Sequence, residues 1–438
     1  MNPETWILSE KTIAKSRKQY AHFDLRTDLQ QQKDYVLSKD YIAKHGFYPF
    51  IHYQLRFDKF SKVSGKKPKT RDICYAAHID RCIYQYYSFL LNEKYNLRVA
   101  QDGMDLVAVA YRTNLGKTNA DFSKKAVDFI KHCGDCWIVV GDFTGYFDCL
   151  DHQYLKEQWM SLFDVEKLPP DQYAVFKSVT AYSKWERDDI LNINGLETSQ
   201  RGVRELNKKK RVLTTEQFHR NKECIVKNQT GFGIPQGSPI SAVLANIYML
   251  ETDKAINDIV RANGGLYMRY SDDFIVILPD AKNVHEAISN VLEKIERTPN
   301  LKLEPEKTQY YRCTNDSIYK CSDNGIYDDA QKSRISFLGF SFDGREVRIR
   351  AKTISKYYYR MNRKAKTIAR AGGYTSQGRH ISGENLYRKY SERGKKEGNF
   401  LTYVDRARTI WGEESIDKDT KRHMQKIRKA LNKRSTQK

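Results

Sequence analysis

The chain has 438 residues, of which 40% are hydrophobic and 12% aromatic, a composition that excludes a disordered protein and predicts two or three structural units with a real core. Its formal charge is +22, and residues 345–438 alone carry 27 Lys and Arg against 9 Asp and Glu. Charge concentrated in this way predicts a polyanionic partner. Because the chain has no long apolar run and no lipidation signal, nucleic acid is favoured over an anionic membrane surface.

The N-terminus and the cysteines both indicate a reducing compartment. Residues 1–5 lack the basic segment and long apolar run of a secretory signal, so we expect a cytoplasmic protein. Eight cysteines are scattered along the chain, and only Cys133 and Cys136 form a Cys-x-x-Cys pair. No second pair lies at zinc-site spacing, so we predict reduced thiols in the core or at the surface.

Apolar periodicity and turn residues predict the elements of the first third of the chain. In order, these are helices within 1–50, a hairpin with strands at 51–61 and 69–73 and a turn at 63–68, helices at 76–95 and 120–133, and a strand at 136–140.

The rest of the chain alternates helices with hairpins. We predict helix and polar loop at 150–230, a helix at 240–262 with Pro239 before its first turn, a hairpin at 266–278, a helix at 283–297, a strand at 307–313, a hairpin at 335–350 with the turn Asp343-Gly344, and basic helices from 351 separated by a Gly-rich loop at 371–383. No internal repeat or low-complexity linker is present, so we expect units that are interleaved.

Two adjacent carboxylates lie in the turn of the hairpin at 266–278. The turn reads Tyr270-Ser271-Asp272-Asp273 between strands rich in β-branched and aromatic residues. Paired negative charge at the edge of a core needs a counterion, and a divalent metal is the usual one. An ordinary turn is the alternative, because Asp and Ser are common turn formers.

A second acidic position follows the strand that ends at Val140. Asp142 lies where this buried strand emerges, a position with fixed geometry and access to water. Two such carboxylate sites on neighbouring strands can hold two divalent ions about 4 Å apart, which activate a hydroxyl and stabilise a pyrophosphate leaving group. Asp148 is predicted to cap the helix that includes Leu150 and Tyr154 rather than to bind metal.

These two sites resemble conserved motifs of reverse transcriptases. Residues 142–148, with Phe147 before the last Asp, resemble motif A, and residues 270–273 resemble motif C. Between them, Gly-Ile-Pro-Gln-Gly-Ser-Pro-Ile-Ser at 233–241 is similar to motif B, and it continues as Leu-Ala-Asn-Ile-Tyr at 244–248, a run typical of bacterial members.

Two further motifs follow in the family's order. Lys307, within Leu-Glu-Pro-Glu-Lys-Thr at 303–308, matches motif D, and Phe-Leu-Gly-Phe at 337–340 matches motif E, the primer grip. The five motifs span about residues 65–350. The resemblance implies an α+β fold of the right-hand polymerase type, with fingers, a palm built on a ferredoxin-like antiparallel sheet, and a helical thumb.

The resemblance also implies roles for the acidic residues. Asp142, Asp272 and Asp273 would bind two Mg²⁺ ions together with the backbone carbonyl of Phe143, with Asp272 as the stronger ligand of the pair. Lys307 would protonate the leaving pyrophosphate, whereas an isolated Lys is otherwise an ordinary solvated surface residue.

Nucleotide contacts are implied for motifs A and B and for the fingers hairpin. Phe147 would lie under the incoming sugar and exclude a 2′-hydroxyl, although a core aromatic at a strand end is its simpler role. Gln236 and Gly237 would let the backbone approach the nucleotide and template closely. Lys69 and Arg71 would bind the triphosphate, because Arg grips phosphate bidentately.

The stretch at 75–81 resembles the segment that follows the fingers hairpin in bacterial members of the family. It contains His78 and Asp80, which are interpreted as packing or capping residues because the family mechanism needs no His base at this position.

The basic C-terminal segment would follow the primer grip as the thumb. Its cations are expected to track phosphates along an RNA–DNA duplex, and they are Arg348, Arg350, Lys352, Lys356, Arg360, Arg363 and Lys364. Tyr357, Tyr358 and Tyr359 are expected to stack on unpaired bases. A solvated charged helix is the alternative.

We divide the chain into an N-terminal helical extension at 1–50, fingers at 51–135, a palm at 136–350 with a helical insertion at about 150–230, and a thumb with its extension at 351–438. After the palm there is neither a zinc-type Cys cluster nor a His-Asn-His-type nuclease segment, which disfavours a full group II intron protein. The Val-Thr-Gly signature of retron enzymes is absent, and the nearest string is Val-Thr-Ala at 179–181.

The chain therefore most resembles the stand-alone bacterial reverse transcriptases of antiphage defence loci, the "unknown group" or abortive-infection-like enzymes. That resemblance implies a structured non-coding RNA as template, dNTPs as substrates and cDNA as product. The alternatives are an intron- or retron-type enzyme, an RNA-binding splicing or scaffold protein with a polymerase fold, and a polymerase that uses ribonucleotides or extends ends without a template.

Overall fold

A computed structural model describes residues 2–61, 65–322, 331–370, 372–375, 378 and 380–432 of the protein. The chain forms two compact units, each assembled from three stretches of sequence. Unit 1 consists of Met1–Arg112, Phe143–Ile256 and Leu292–Leu303, and unit 2 consists of Thr113–Asp142, Asn257–Val291 and Glu304–Lys438. The expected interleaving is therefore observed. The division into fingers, palm and thumb is a functional one and stays a prediction.

Helices occur along the whole described chain. They are α1 Pro3–Ile7, α2 Glu10–Ser16, α3 Lys33–Leu37, α4 Lys39–Ala43, α5 His78–Gln101, α6 Asn119–Cys133, α7 His152–Phe163, α8 Pro170–Thr180, α9 Arg187–Ile193, α10 Gln200–Leu206, α11 Thr215–Arg220, α12 Ser241–Tyr248, α13 Leu250–Ala262, α14 Val284–Glu296, α15 Ala351–Arg370, α16 Gly383–Tyr390, α17 Phe400–Trp411 and α18 His423–Asn432.

Strands are concentrated in three sheets. They are β1 Phe50–Ser61, β2 Gly65–Tyr75, β3 Cys136–Asp142, β4 Ser183–Glu186, β5 Val226–Lys227, β6 Leu266–Tyr270, β7 Asp273–Pro279, β8 Gln309–Thr314, β9 Ser317–Cys321, β10 Gln331–Lys332, β11 Ile335–Phe337, β12 Phe340–Phe342 and β13 Val347–Ile349.

The main sheet of unit 2 is antiparallel, with the strand order β10-β9-β8-β3-β7-β6. Among the four strands β8-β3-β7-β6, the neighbours across the sheet are the fourth, first, third and second strands in chain order. This is the ferredoxin-like arrangement of two interlocked βαβ halves. The apolar run of β7 is buried along Phe274–Leu278. The predicted α+β class with a ferredoxin-like palm sheet is confirmed.

A separate meander in unit 2 joins β11, β12 and β13. The sequence predicted a single hairpin here, and it missed the turn between β11 and β12. Leu338 and Gly339 form a two-residue turn with φ of 46° and 93°, the geometry of tight β-hairpins. The predicted turn at Asp343-Gly344 is present, and the Asp343 carboxylate accepts hydrogen bonds from the backbone N–H groups of Arg345 and Glu346.

The sheet of unit 1 has the order β2-β1-β4-β5 and carries the long hairpin β1–β2. The predicted hairpin is confirmed, but β2 begins at Gly65 and includes Pro68, which we had assigned to the turn. Pro68 is tolerated because β2 is an edge strand of this sheet. The rest of that predicted turn, residues 62–64, lies outside the described residues.

Other boundaries differ modestly from the sequence prediction. Residues 1–50 hold four short helices with extended chain between α2 and α3, and the helix predicted at 240–262 is two helices, α12 and α13, separated by Met249. α12 begins at Ser241 with Ile240 as its N-cap, so Pro239 precedes the helix and is not in its first turn. Part of the predicted loop at 371–383 lies outside the described residues.

The described residues of unit 2 form two hydrophobic cores. The larger joins the main sheet to α6, the meander and α17, and the smaller joins α15, α16 and α18 around Met361, Leu386 and Ile427. The core of unit 1 that surrounds Trp185 packs the hairpin against α9 and α10. All eight cysteines are free thiols, as predicted. In the part of the chain that the structure describes, no helix has the length and apolarity needed to cross a bilayer.

Candidate active site

The strand register of unit 2 places two of the predicted aspartates side by side. Asp142 at the end of β3 is the direct cross-strand partner of Asp273 at the start of β7. Asp142 is buried, with 9% of its surface exposed, whereas Asp273 is solvent-exposed. The sheet therefore holds both carboxylates at one edge. This agrees with the prediction of two acidic positions at the ends of neighbouring buried strands.

The third aspartate lies in the turn that joins β6 to β7. Tyr270 pairs with Asp273, so Ser271 and Asp272 form a two-residue turn. Ser271 has a φ of 61°, which costs free energy in a residue other than glycine and is often found at functional sites. The fully buried Arg269 stabilises this turn by donating from Nη1 to the Ser271 carbonyl at 2.9 Å. We did not select Arg269 from the sequence, although a charged residue inside an apolar strand was a signal.

The negative charges in this cluster influence one another. The pKa of Asp273 is raised to about 6, mainly because surrounding protein removes water, with the charges of Asp272 and Asp142 adding to the effect and Lys307 opposing it.

Lys307 lies directly at this cluster. Its ammonium group forms an ion pair with the Asp142 carboxylate. The backbone supports this pairing, because Glu304 N–H donates to the Asp142 carbonyl at 2.8 Å and Lys307 N–H donates to the Glu304 carbonyl at 3.0 Å. The motif D turn is thus tied to the end of β3.

The cluster fits a divalent metal by its chemistry. Carboxylate and carbonyl oxygens are the ligands that Mg²⁺ prefers, and Mg²⁺ usually binds through one or two carboxylates plus water and substrate phosphates. Among the described residues, no group of three or more Asp, Glu, His or Cys side chains is arranged so that it could hold a metal ion.

Gly141 supports this site through packing. A Cβ at this position would lie 2.3 Å from the ring of Phe274, its cross-strand partner, which is completely buried. The ring therefore fills the space that any larger side chain beside Asp142 would need. Sequence reasoning did not assign Gly141 a role.

The predicted primer grip shares a cavity with Asp273. This cavity, of about 320 Å³, is lined by Asp273 and by residues of β3, β6, α6 and the meander, namely Val140, Tyr270, Asn119, Ser336, Phe337, Leu338, Gly339 and Arg350. Asn119 Nδ2 donates to the Leu338 carbonyl at 2.8 Å, and Ser123 Oγ donates to the Phe337 carbonyl at 3.2 Å. Helix α6 therefore holds the turn in place, a role the sequence did not reveal.

Unit 1 brings together the motif B residues and the end of motif A. Gln236 Nε2 donates to both carboxylate oxygens of Asp148, at 3.1 and 3.2 Å. The prediction that Asp148 caps the following helix was wrong, because Asp151 is the N-cap of α7 and accepts from Tyr154 N–H. Phe147 is half-buried in the same turn, and its carbonyl accepts from Ile234 N–H at 2.9 Å.

Gly237 is required for close packing against strand β2. Its φ is 114°, and a Cβ there would lie 2.5 Å from the Cys74 carbonyl oxygen. The neighbouring Gln236 carbonyl accepts from Cys74 N–H at 2.8 Å. The close backbone approach at this glycine is made to β2, and the expected approach to nucleotide and template stays a prediction.

Lys69 and Arg71 are both exposed on β2, as a phosphate-binding role requires. The Arg71 guanidinium lies over the Phe57 ring, 5.6 Å from its centroid. His78 and Asp80 are buried and fully bonded, His78 to Asp24 and the Tyr20 carbonyl, and Asp80 to His45 and Tyr48 N–H. Their interpretation as structural residues is supported.

The predicted thumb cations differ in their surroundings. Arg348 forms an ion pair with Glu346 at 2.7 Å, and Lys364 lies over the ring of Tyr390. Lys356, Arg360 and Arg363 are exposed on α15. Because several of these side chains reach solvent, the helix retains a basic face.

The expectation that three consecutive tyrosines stack on bases was wrong for two of them. Tyr357 is 6% exposed and donates to the Tyr390 carbonyl, so it belongs to the core. Tyr358 is partly buried and donates to the Asp419 carbonyl. Tyr359 is 62% exposed and remains available for stacking.

Comparison with known proteins adds a family and a set of distant structural neighbours. The family model described as "Reverse transcriptase (RNA-dependent DNA polymerase)" matches residues 66–342. No curated protein matches the chain.

The similar solved structures include three telomerase structures from Candida species. Apo telomerase from Candida tropicalis truncated from its C-terminal domain is 15% identical, with a TM-score of 0.37, covering 74% of this chain and 61% of its own. Telomerase from Candida albicans in complex with a fragment of telomeric RNA is 12% identical, with a TM-score of 0.39, covering 93% and 67%. Apo telomerase from Candida tropicalis is 14% identical, with a TM-score of 0.42, covering 88% and 59%. This chain thus spans about three fifths of the first of these proteins.

Proposed function

This chain belongs to the reverse transcriptase (RNA-dependent DNA polymerase) family, and from that premise we propose that it copies an RNA template into cDNA by nucleotidyl transfer. The observation that carries the proposal is the register of the palm sheet, which pairs Asp142 with Asp273 and leaves Asp272 in the adjoining turn. Three carboxylates at one edge of a sheet, with a lysine bound to one of them, suit phosphoryl chemistry.

The metal site consists of Asp142, Asp272 and Asp273, together with the carbonyl of Phe143, which follows Asp142 in the chain. Two bound Mg²⁺ ions would activate the primer hydroxyl and stabilise the pyrophosphate. The protein's own contribution is to fix the carboxylates: the buried Arg269 supports the turn, and the Phe274 ring packs against Gly141.

Lys307 is the proton donor for the leaving pyrophosphate in this proposal. Its ammonium group already lies at the cluster, in an ion pair with Asp142. Backbone hydrogen bonds from Glu304 N–H to the Asp142 carbonyl and from Lys307 N–H to the Glu304 carbonyl tie this segment to the end of β3.

The nucleotide is bound by residues of motifs A and B and of the fingers hairpin. Lys69 and Arg71, exposed on β2, bind the triphosphate, and Phe147 excludes a 2′-hydroxyl. Gln236 and Gly237 position the nucleotide and the template, and the Gln236–Asp148 hydrogen bonds orient Gln236.

The primer and the duplex are bound by unit 2. Phe337, Leu338 and Gly339 grip the primer end next to Asp273, in the cavity that they share. The exposed cations of α15 follow the phosphates of the duplex.

The template is a structured partner RNA in this proposal, and the biological role is bacterial antiphage defence. Both steps rest on the resemblance to stand-alone bacterial enzymes and on the absence of intron and retron signatures from the sequence. Sequencing the RNA that copurifies with the protein, and any cDNA copied from it, tests them. If the copurifying RNA is a group II intron or a retron RNA, the protein is an intron- or retron-type enzyme and the proposed defence role is wrong.

The polymerase function is tested by Asp272→Asn. We expect RNA-templated dNTP incorporation to fall by about a thousandfold, because the change removes a charged ligand at the reacting centre. Asp258→Asn is the matched control, an identical change at an exposed position of α13. If the Asp272→Asn protein polymerises as well as the control, the proposed site is wrong. If the Asp272→Asn protein keeps its biological activity and the intact protein never incorporates dNTPs, an RNA-binding scaffold role is favoured.

A further inference from the structure

Unit 2 contains a second cavity, formed by α15, α16, the turn after α16 and the start of α17. Its volume is about 460 Å³, within the range of sites that hold small molecules. The residues that matter for its chemistry are Lys356 and Arg360 of α15 and Arg388, Lys389 and Tyr390 of α16.

Three of these cations are unpaired among the described residues. Lys356, Arg360 and Lys389 are exposed, and within the described residues none of them forms a hydrogen bond or an ion pair. Arg388 is compensated, because its Nε lies 3.3 Å from a carboxylate oxygen of Glu397. The lining of the cavity therefore has an excess of positive charge that a bound anion would neutralise.

A tyrosine also lines the cavity. Tyr390 as a residue is only 8% exposed, and within the described residues its hydroxyl forms no hydrogen bond. Burial raises the pKa of Tyr390, while the charges of Arg360 and Arg363 act in the opposite direction. A hydroxyl without a partner in the described residues can donate a hydrogen bond to an anionic ligand.

We propose that this cavity binds the phosphate monoester of a nucleotide, at the end of a nucleic-acid strand or in a free nucleotide. A phosphate monoester carries nearly two negative charges and three terminal oxygens, whereas each phosphodiester within a strand carries one charge. Three uncompensated cations and one hydroxyl donor match the dianion better. An arginine such as Arg360 can also bind two phosphate oxygens at once.

This site would bind a terminal phosphate with Lys356 and Arg360, which the proposed function places along the duplex, and nucleotidyl transfer at the aspartates does not require it. Its function would be to recognise the end of a strand. A row of cations along a duplex binds internal phosphates and does not distinguish an end. Binding is measured without catalysis, so failure of the polymerase proposal leaves this test unaffected.

The test compares short single-stranded RNAs of one sequence that carry a 5′-phosphate, a 3′-phosphate or only hydroxyl ends. Binding to the full-length protein is followed by fluorescence anisotropy. We expect a phosphate at one end to tighten binding by about tenfold. Competition by a nucleoside monophosphate would identify a free nucleotide as a ligand, and its failure to compete would identify the strand end. Equal affinities for all three RNAs would overturn the proposal.

Two sets of variants locate the effect. Arg360→Gln/Lys389→Gln and, separately, Tyr390→Phe are expected to remove most of the preference for the phosphorylated RNA. Lys366→Gln/Arg406→Gln is the control, because it removes the same charge from exposed positions of α15 and α17 outside the cavity lining. An equal loss of preference in the control, or displacement of the phosphorylated RNA by an acidic peptide at similar concentration, would show general attraction to negative charge and refute the site.

Discussion

At the residue scale, the candidate active site concentrates negative charge on two neighbouring strands and one turn. Asp142 and Asp273 face each other, Lys307 binds Asp142, and the pKa of Asp273 rises to about 6 because its surroundings disfavour the charged form. Residues that support these groups are as important as the groups themselves. Gly141 admits the Phe274 ring, and Arg269 stabilises the turn.

Sugar selectivity provides one prediction at this scale. We expect Phe147→Ala to let ribonucleotides enter, lowering the dNTP-over-NTP ratio of kcat/KM by about 10- to 100-fold, because a smaller side chain no longer excludes the 2′-hydroxyl. Single-nucleotide incorporation on an RNA template measures this ratio. Tyr146→Phe, at the neighbouring position, is the control. An unchanged ratio in Phe147→Ala would contradict the assignment of Phe147.

Gly237 provides a prediction about stability. Gly237→Ala should lower the free energy of unfolding by roughly 2–4 kcal/mol, because the Cβ would meet the Cys74 carbonyl and φ is unfavourable. Gly195→Ala is the control, since Gly195 also has a positive φ of 64° but nothing lies within 4 Å of its Cβ. Its expected cost is only about 1 kcal/mol. Urea denaturation compares the two, and equal losses would show that the contact with β2 is unimportant.

Sequence reasoning located the aspartates because acidic residues at the ends of apolar strands are unusual. It could not locate the contacts of Lys307, Gln236 or Asp148, because those contacts join residues that are far apart in the chain. Sequence reasoning also chose the wrong N-cap for α7, because Asp148 and Asp151 are both plausible caps from local sequence alone. The hydrogen bonds from Gln236 to Asp148 distinguish the two, and they are visible only in the fold.

At the element scale, the meander and helix α6 together form the part of the site next to Asp273. The turn at Leu338 and Gly339 is tight, and α6 bonds to its carbonyls from Asn119 and Ser123. Tyr403 of α17 also contacts Asn119, at 3.4 Å. Helices α6 and α17, from two separate stretches of sequence, thus fix the position of one turn.

This support predicts a primer-binding phenotype. Asn119→Ala should raise the KM for primer–template several-fold, by about 1 kcal/mol of lost binding, with little change in kcat. The reason is that the turn loses a hydrogen bond while the aspartates stay in place. Steady-state kinetics with varied primer–template measures the effect, and Asn362→Ala on the exposed face of α15 is the control. A fall in kcat at constant KM would show that Asn119 acts on the chemistry and not on the primer.

Most long elements were predictable, because β1, β3, β7, α5 and α6 have clear apolar periodicity. The sequence did not predict the turn at 338–339, because Leu338 adopts a positive φ that is rare for a β-hairpin turn residue other than Gly, Asn or Asp. It also missed the burial of Tyr357, since that depends on the packing of α16 and α17 against α15.

At the scale of the whole molecule, the formal charge of +22 favours binding to polyanions such as nucleic acid. The family resemblance implied the ferredoxin-like order of the palm sheet. The boundaries of the two compact units could not be predicted from local sequence patterns. Each unit combines three separate stretches, a feature set by tertiary packing.

The basic charge predicts a strong dependence of nucleic-acid binding on salt. We expect the affinity for an RNA–DNA duplex to fall by about a hundredfold or more between 50 and 200 mM salt, because each neutralised phosphate releases counterions. Titrations at several salt concentrations give the slope. A slope near zero would mean that contacts other than phosphate contacts dominate binding.

The central claim is that this protein synthesises DNA on an RNA template at the three aspartates. The most direct measurement incubates the purified protein with a defined RNA template and primer, offers dNTPs or NTPs with Mg²⁺, and sequences the product. We predict DNA complementary to the template from the wild-type protein and none from Asp272→Asn. Preference for NTPs, a product unrelated to the template, or equal synthesis by the Asp272→Asn variant would contradict the account.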